Sequence, residues 1–451
     1  MKKFVAILLA TMLLAACVPA LAEQQEGYPE VVDGIDFGGQ TVYIYDWWSD
    51  ANRKDAPSVE EQARYDYLDW LMETYNCKFI NTAEGSYSTI ADEMIKFCNA
   101  PDDSLRIYVL PANYVGAGMS NSFFAPWNNI DLIDLSDEKW NGSVAQFMSK
   151  NGNVYGINVG KSEPRTLVYF NKRLLNEAGI DPESLYDMQA DGTWTWDVFV
   201  DMIAKITRDV DNDGITDIYG LTGNSNYLYQ MGVFSNGGSY FKFNDEGKLE
   251  IAINSNEAME GLKWAKDLWM DYGFKMPDDG EPNYYKDAFL DGYCAFCVHW
   301  AYAGFNDNSE FVNMTDEYGA VAFPMGPKSD TYVTVVSDNV VVIPSLYDDE
   351  TVRKLAFIYD MFTQPTPGFE DDEYSWVGNK YNYTDDRAVD ETYGMLREAE
   401  HCRTDISVYL GSENDVMGAP LLWKLNYGDP SELVDAAMPV WTTLCDAFNG
   451  D

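Results

Sequence analysis

Between Thr41 and Leu110 the chain switches between two hydrophobic periods, and this constrains its fold more than any single motif. Thr41-Val42-Tyr43-Ile44-Tyr45 is β-branched and aromatic, the composition of a strand. Residues 58–76 then place Ala63, Tyr67, Trp70, Leu71 and Tyr75 near helical spacing. Cys77-Lys78-Phe79-Ile80 reads as a second strand, 88–98 as a second helix, and Leu105 to Leu110 as a third strand. Strand, helix, strand, helix, strand begins a doubly wound α/β unit. The pattern returns later. Thr166 to Phe170 is a strand, and Asn171 to Ala178 a short helix stopped by Gly179. Trp196 opens a helix to about Arg208. Ser255 caps one over 257–272, with Met259, Leu262, Ala265, Leu268 and Trp269 on one face. Val340-Val341-Val342-Ile343 is a buried strand, followed by a helix from about Asp349 to Thr363. A length of 451 residues allows two or three such units.

The first residues are a targeting segment. Lys2 and Lys3 precede an apolar run from Phe4 to Ala16, a secretory leader too short to span a bilayer. The run ends Leu14-Ala15-Ala16-Cys17, which resembles a bacterial lipobox and makes Cys17 the expected lipidation site. Ala20-Leu21-Ala22 is the rival, an ordinary cleavage site that would release the chain. The expected location is the outer face of the cell membrane, with the lipid as the only membrane contact. The alternative is a periplasmic or secreted chain cut after Ala22. Residues 1–22 are therefore leader, and 23–36, polar and acidic, a tether.

Thirty Lys and Arg stand against 74 Asp and Glu, a net charge of −44. A nucleic-acid groove needs a basic surface, so nucleic acid is excluded as a partner. Two histidines, His299 and His401, leave little for a multi-histidine metal site. Nothing matches G-x-S-x-G, H-E-x-x-H or G-x-x-x-x-G-K-[ST]. Cys294-x-x-Cys297 looks like half a metal or redox motif. Its setting, Gly292 to Val298, reads as a buried strand instead, where a helical redox motif does not fit.

Asp209-x-Asp211-x-Asp213-Gly214-x-Thr216-Asp217 has the first nine positions of a calcium loop. Side-chain oxygens of Asp209, Asp211 and Asp213 converge, Ile215 offers its carbonyl, and Asp217 takes the ninth position. Gly220 stands where the usual glutamate would close the site. A structural Ca²⁺ is the expected cofactor; a solvated acidic turn is the alternative.

Several segments in order resemble the family 1, maltose-binding-protein-like, extracellular solute-binding proteins of ABC importers. They are Gly152-Asn153-Val154-Tyr155-Gly156-Ile157, Leu167 to Leu175 with Ala178-Gly179-Ile180, and Thr195-Trp196-Asp197-Val198-Phe199. Tyr219-Gly220-Leu221, Ala288-Phe289 to Trp300, and Phe323-Pro324-Met325-Gly326-Pro327-Lys328 follow. The resemblance covers about 37–365 and fades beyond. It implies an α/β fold of the type II periplasmic-binding-protein kind: two lobes joined by crossing hinge strands, with a central ligand cleft. Lobe one would be 37–160 plus 325–365, and lobe two 161–324 plus 366–451. The crossings would lie near 158–166, 321–327 and 364–370. By the same resemblance the chain is no enzyme. It works as a monomer that captures a small solute, an oligosaccharide, by hinge closure and hands it to the permease subunits of an ABC importer. A secreted carboxylate-dependent glycan hydrolase and a surface glycan adhesin are the alternatives.

Ligands of α/β sheets sit off the carboxyl ends of strands. Asp46, Trp47 and Trp48 follow the first strand, and indole faces suit the C–H side of a sugar ring. Tyr114 follows the third strand similarly. Trp300 matches the family segment that carries a ligand-stacking aromatic. Tyr227 and Tyr229 are further candidates. Glu163 and Arg165, at the first crossing, either bond ligand hydroxyls or are hinge-surface charges. Trp376 is the candidate from the tail, with ordinary packing as its alternative.

Overall fold

The computed structural model describes residues 27–275, 284–304, 310–370 and 385–450. The leader with Cys17, and Trp376, lie outside them. The opening alternation folds as its pattern predicts. Strand β1 (Thr41–Asp46) runs parallel to β2 (Lys78–Ala83) on one side and to β3 (Leu105–Pro111) on the other. Helix α1 (Val59–Thr74) joins β1 to β2, and α2 (Ile90–Asn99) joins β2 to β3. At the start of α1, Ser58 accepts from the Glu61 N–H while the Glu61 carboxylate accepts from the Ser58 N–H. That exchange satisfies amides a helix otherwise leaves unpaired.

A second sheet takes β4 (Thr166–Asn171), β5 (Tyr219–Gly223), β6 (Cys294–Trp300) and β7 (Tyr318–Val321), in the order β7-β4-β6-β5. Helices α3 (Trp196–Ile206), α4 (Ser225–Phe234) and α5 (Asn256–Tyr272) belong to this part of the chain, and Ser255 caps α5 as its spacing predicts. Cys294 and Cys297 are free and buried inside β6, and burial pushes both thiols far up. The chain then returns through β8 (Thr334–Val336) and β9 (Asn339–Val342). β9 adds antiparallel to β3 and completes the first sheet as β9-β3-β1-β2, after which α6 (Asp349–Phe362) packs beside α1.

Two crossings between the sheets lie side by side. Ile157 bridges Val341, and Pro164 bridges Val336, both antiparallel. The first falls in the stretch holding Gly160 and Pro164. The return comes later than 321–327. The Trp196 N–H donates to the Met325 carbonyl (3.1 Å), and the Gly326 N–H to that of Ser235 (3.0 Å). These bonds hold 325–326 against α3 and α4, so the step to the first sheet falls between Val336 and Asn339. Proline and glycine mark turns as readily as hinges: Met325 bridges Thr195, and the chain turns at Pro327 and Lys328.

The tail packs mostly on the second sheet's side. Strand β10 (Cys402–Thr404) pairs parallel with β8, and the last helix, α7 (Pro430–Asn449), reaches Leu249 through Asn449 (2.9 Å). The tail also touches the first unit. The 3-10 turn Ile406–Tyr409 presses on Gly116, where a Cβ would lie 2.6 Å from the Val408 carbonyl oxygen. The Tyr409 hydroxyl donates to the Phe147 carbonyl. Among the described residues no helix is long and apolar enough to cross a membrane.

Candidate functional site

An open cavity lies between the two sheets, about 620 Å³ when the solvent space at its mouth is included. Its walls come from four parts of the chain. The loops after β2 and β3 supply Tyr87, Ala112 and Asn113, and the crossings supply Arg165 and Val335 to Ser337. The second unit supplies Tyr227, Gln230 and Trp300, and the tail supplies Thr404, Asp405, Val408 and Glu413. Tyr227 and Trp300 stack, with ring centres 4.9 Å apart and planes 21° from parallel. The Arg165 guanidinium lies over Trp300 (5.6 Å) and donates to the Ser337 carbonyl (2.8 Å). Behind the stack, His299 is 1% exposed and bonds Glu310 through Nε2 (2.6 Å). Burial pushes its pKa down to about 4, so near neutral pH a neutral imidazole backs Tyr227 at 6.0 Å.

The opposite wall is also aromatic. Tyr87 meets Trp47 edge-on (5.4 Å) and Tyr114 edge-on (5.6 Å), and Trp47 meets Trp48 (4.6 Å). Asn113 donates to the Tyr87 hydroxyl (3.3 Å) and accepts from Ser337 (3.3 Å), tying this wall to the crossing. The lining as a whole combines rings from both units with amide, carboxyl and guanidinium groups. A slot so lined suits a ligand with flat apolar faces and a hydroxyl rim.

The sequence profile of the family described as bacterial extracellular solute-binding protein matches residues 121–356, just over half the chain. The chain belongs to that family. A search of curated proteins returns no match. Solved structures share the fold. UspC of M. tuberculosis is 16% identical, with 91% of this chain and 99% of that one covered and a TM-score of 0.61. A cyclo/maltodextrin-binding protein complexed with maltotetraose is 14% identical, covering 90% and 97%, with a TM-score of 0.61. UgpB from Mycobacterium tuberculosis, in complex with glycerophosphocholine, is 15% identical, covering 91% and 99%, with a TM-score of 0.58. The two sheets and their crossings are thus those of a type II, maltose-binding kind of solute-binding protein.

The structure sorts this solute-binding protein's candidate residues. Arg165, Tyr227 and Trp300 line the cavity. Trp47 and Tyr114 stand one layer out, buttressing Tyr87, and Trp48 lies beyond them, 56% exposed. Asp46 is 2% exposed and accepts from the Trp48 and Ser49 N–H groups and from Asn81 Nδ2. Its carboxylate is occupied in shaping the loop that carries the tryptophans, which leaves a ligand little of it. Tyr229 is fully buried and donates to Asn426. On α4 it is two residues from Tyr227 and so on the far face, while Gln230, three residues on, shares the cavity face. Glu163 pairs with Arg397 (3.2 Å) beside the crossing and does not line the cavity.

Most of the lining escaped the sequence reading, Tyr87, Gln230, Asp405 and Glu413 among it. Only Gln230 had a signal, its spacing from Tyr227. Asp405 caps the 3-10 turn through the Ser407 N–H (2.9 Å) and accepts from Gln230 (3.3 Å). Burial, with Asp405 close by, pushes the Glu413 carboxyl up to about 7 against the pull of Arg165.

The acidic loop lies between α3 and β5, closed by an Arg208–Ile218 bridge. Asp209, Asp211 and Asp217 each offer a carboxylate oxygen, all within 4.8 Å of one another. Asp213 falls outside that group and accepts from the Ile215 N–H (2.7 Å). Hard, all-oxygen donors in this arrangement fit a cation such as Ca²⁺.

Proposed function

We propose that this protein captures an oligosaccharide in the slot between its lobes by hinge closure and presents it to the permease subunits of an ABC importer. The observation that carries the reading is the slot itself: stacked Tyr227 and Trp300 from one unit, Tyr87 from the other, with Asn113, Gln230 and Arg165 also in the lining. Pyranose rings present alternating apolar faces and hydroxyl edges, which is what such walls can hold. A small solute held by two or three rings and a few hydrogen bonds reaches micromolar affinity, about −8 kcal/mol. The described maltotetraose complex supports the same ligand class. Lipid attachment at Cys17 would hold a monomer at the outer face of the membrane, close to its importer. A structural Ca²⁺ on Asp209, Asp211 and Asp217, with the Ile215 carbonyl and Asp213 adjusting to it, belongs to the same proposal.

The test is thermal unfolding of the mature chain against mono- and oligosaccharides, followed by recovery of the ligand. A ligand-specific rise in midpoint with intact sugar recovered is expected. Trp300→Ala should weaken binding of the best sugar by about tenfold or more, because one face of the slot is lost. Recovery of cleaved sugar would replace binding with hydrolysis, and no shift with any sugar would remove the oligosaccharide from the reading.

A further inference from the structure

We propose that the solute carries a protonated amine, as an amino-sugar does, and that Glu413 is the carboxylate that selects it; this rests on the saccharide reading above. Three charged side chains line the cavity: Arg165, Asp405 and Glu413. Two of them are already committed to the protein. Arg165 donates to the Ser337 carbonyl and lies on the Trp300 ring. Asp405 caps the 3-10 turn and accepts from Gln230. Glu413 has neither a hydrogen bond nor an ion pair among the described residues, although it faces the cavity. Behind it the Tyr240 hydroxyl is buried without a partner, close enough to Asp405 and Glu413 for both to disfavour its ionisation. The cavity lining thus includes a carboxyl group that is unpaired among the described residues, with a buried phenol oxygen nearby.

A group that completes this part of the lining must donate to acceptors, and a positive charge completes it best. A sugar hydroxyl offers one proton. An ammonium offers three and cancels the carboxylate charge, a charge-assisted pairing of roughly twice the strength of a neutral one. The Tyr87 and Tyr227 rings also attract cations over their faces. Two carboxyl groups share the lining with one guanidinium, which disfavours an anionic solute, and a chain of net charge −44 gathers cations around its clefts. Burial pushes the Glu413 carboxyl up to about 7, so a cation bound beside it favours the carboxylate and displaces a proton near neutral pH. The groups facing it are Arg165, Asp405, Tyr87, Tyr227 and Tyr240; burial raises the three tyrosines, which stay neutral near pH 7, and raises the Asp405 carboxyl as well.

The experiment is calorimetric titration of the mature protein with matched pairs: glucosamine beside glucose, galactosamine beside galactose, and the β-1,4-linked glucosamine disaccharide beside cellobiose. The amine member of at least one pair should bind about tenfold or more tightly than its hydroxyl counterpart. Titrations in two buffers of different ionisation enthalpy should show proton release near pH 7. Glu413→Gln, checked for folding by circular dichroism, should reduce the preference to within about threefold. Hydroxyl members binding as well as amines would sink this inference and leave the solute-binding function standing. A preference that survives Glu413→Gln would overturn the role of Glu413. If that variant does not fold, amine binding to the native protein without proton release decides against the proposal. Failure of every sugar would overturn it together with the saccharide reading.

Discussion

At the residue scale, the cavity trades stability for recognition. Glu413 has no hydrogen-bond or ion-pair partner among the described residues, and burial raises its carboxyl from about 4.5 to about 7. A carboxyl with a raised folded pKa binds more protons folded than unfolded between those values. Its stability contribution therefore falls as pH rises through that window and is fully unfavourable above it. Glu413→Gln keeps the shape and removes the charge. The empty variant should be more stable than the native protein at pH 8, by on the order of 1 to 2 kcal/mol, and indistinguishable from it at pH 4.5. Urea unfolding at the two pH values measures this. Equal stability at pH 8 would mean that water already satisfies the carboxylate. Arg165, Tyr227 and Trp300 were legible because each is flanked by family-like or aromatic sequence. Glu413 was not: Gly411-Ser412-Glu413-Asn414 is an ordinary polar turn, and only its place in space aims it inward.

At the scale of elements, strands and helices were read to within about two residues where one face is strongly apolar. β1, β3, α5 and α6 follow from composition and period, whereas β2, at best half-buried along its length, runs on to Ala83, three residues past the expected Ile80. What period cannot supply is docking. Nothing in 402–418 announces that this stretch returns to the first unit, yet Gly116 is open because the Val408 carbonyl lies where a side chain would start. Gly116→Val should cost about 1 to 3 kcal/mol by overpacking. It should also weaken ligand binding, since the turn it displaces carries Asp405 and leads to Glu413. A titration of the folded variant checks the second effect; unchanged affinity would detach the turn from the site. The acidic loop makes a separate prediction. Calcium should raise the unfolding midpoint of the native protein, and Asp209→Asn should abolish that rise without abolishing sugar binding. Midpoints indifferent to calcium and chelator would leave a solvated turn.

At the scale of the whole molecule, the ligand slot exists only because two separately built sheets are joined, in part by two adjacent crossings bridged at Ile157–Val341 and Pro164–Val336. Tyr87 and Asn113 come from one side, and Tyr227, Gln230 and Trp300 from the other. No wall alone surrounds a solute. Each wall gains its contacts only when the other is near, so a ligand touching both must favour the closed arrangement over the open one by its differential contacts. The lever for this is local: Ser337 sits in the return crossing, accepts from Arg165 through its carbonyl, and donates to Asn113 on the far wall. Small-angle scattering should show the radius of gyration fall on saturation with sugar, and Trp300→Ala should need more sugar to reach the same closed value. A radius that does not change at saturation would mean that the lobes are already closed when empty. Affinity would then come from a preformed slot and entry from motion at its lip, and the importer would have to recognise the ligand's presence by something other than shape.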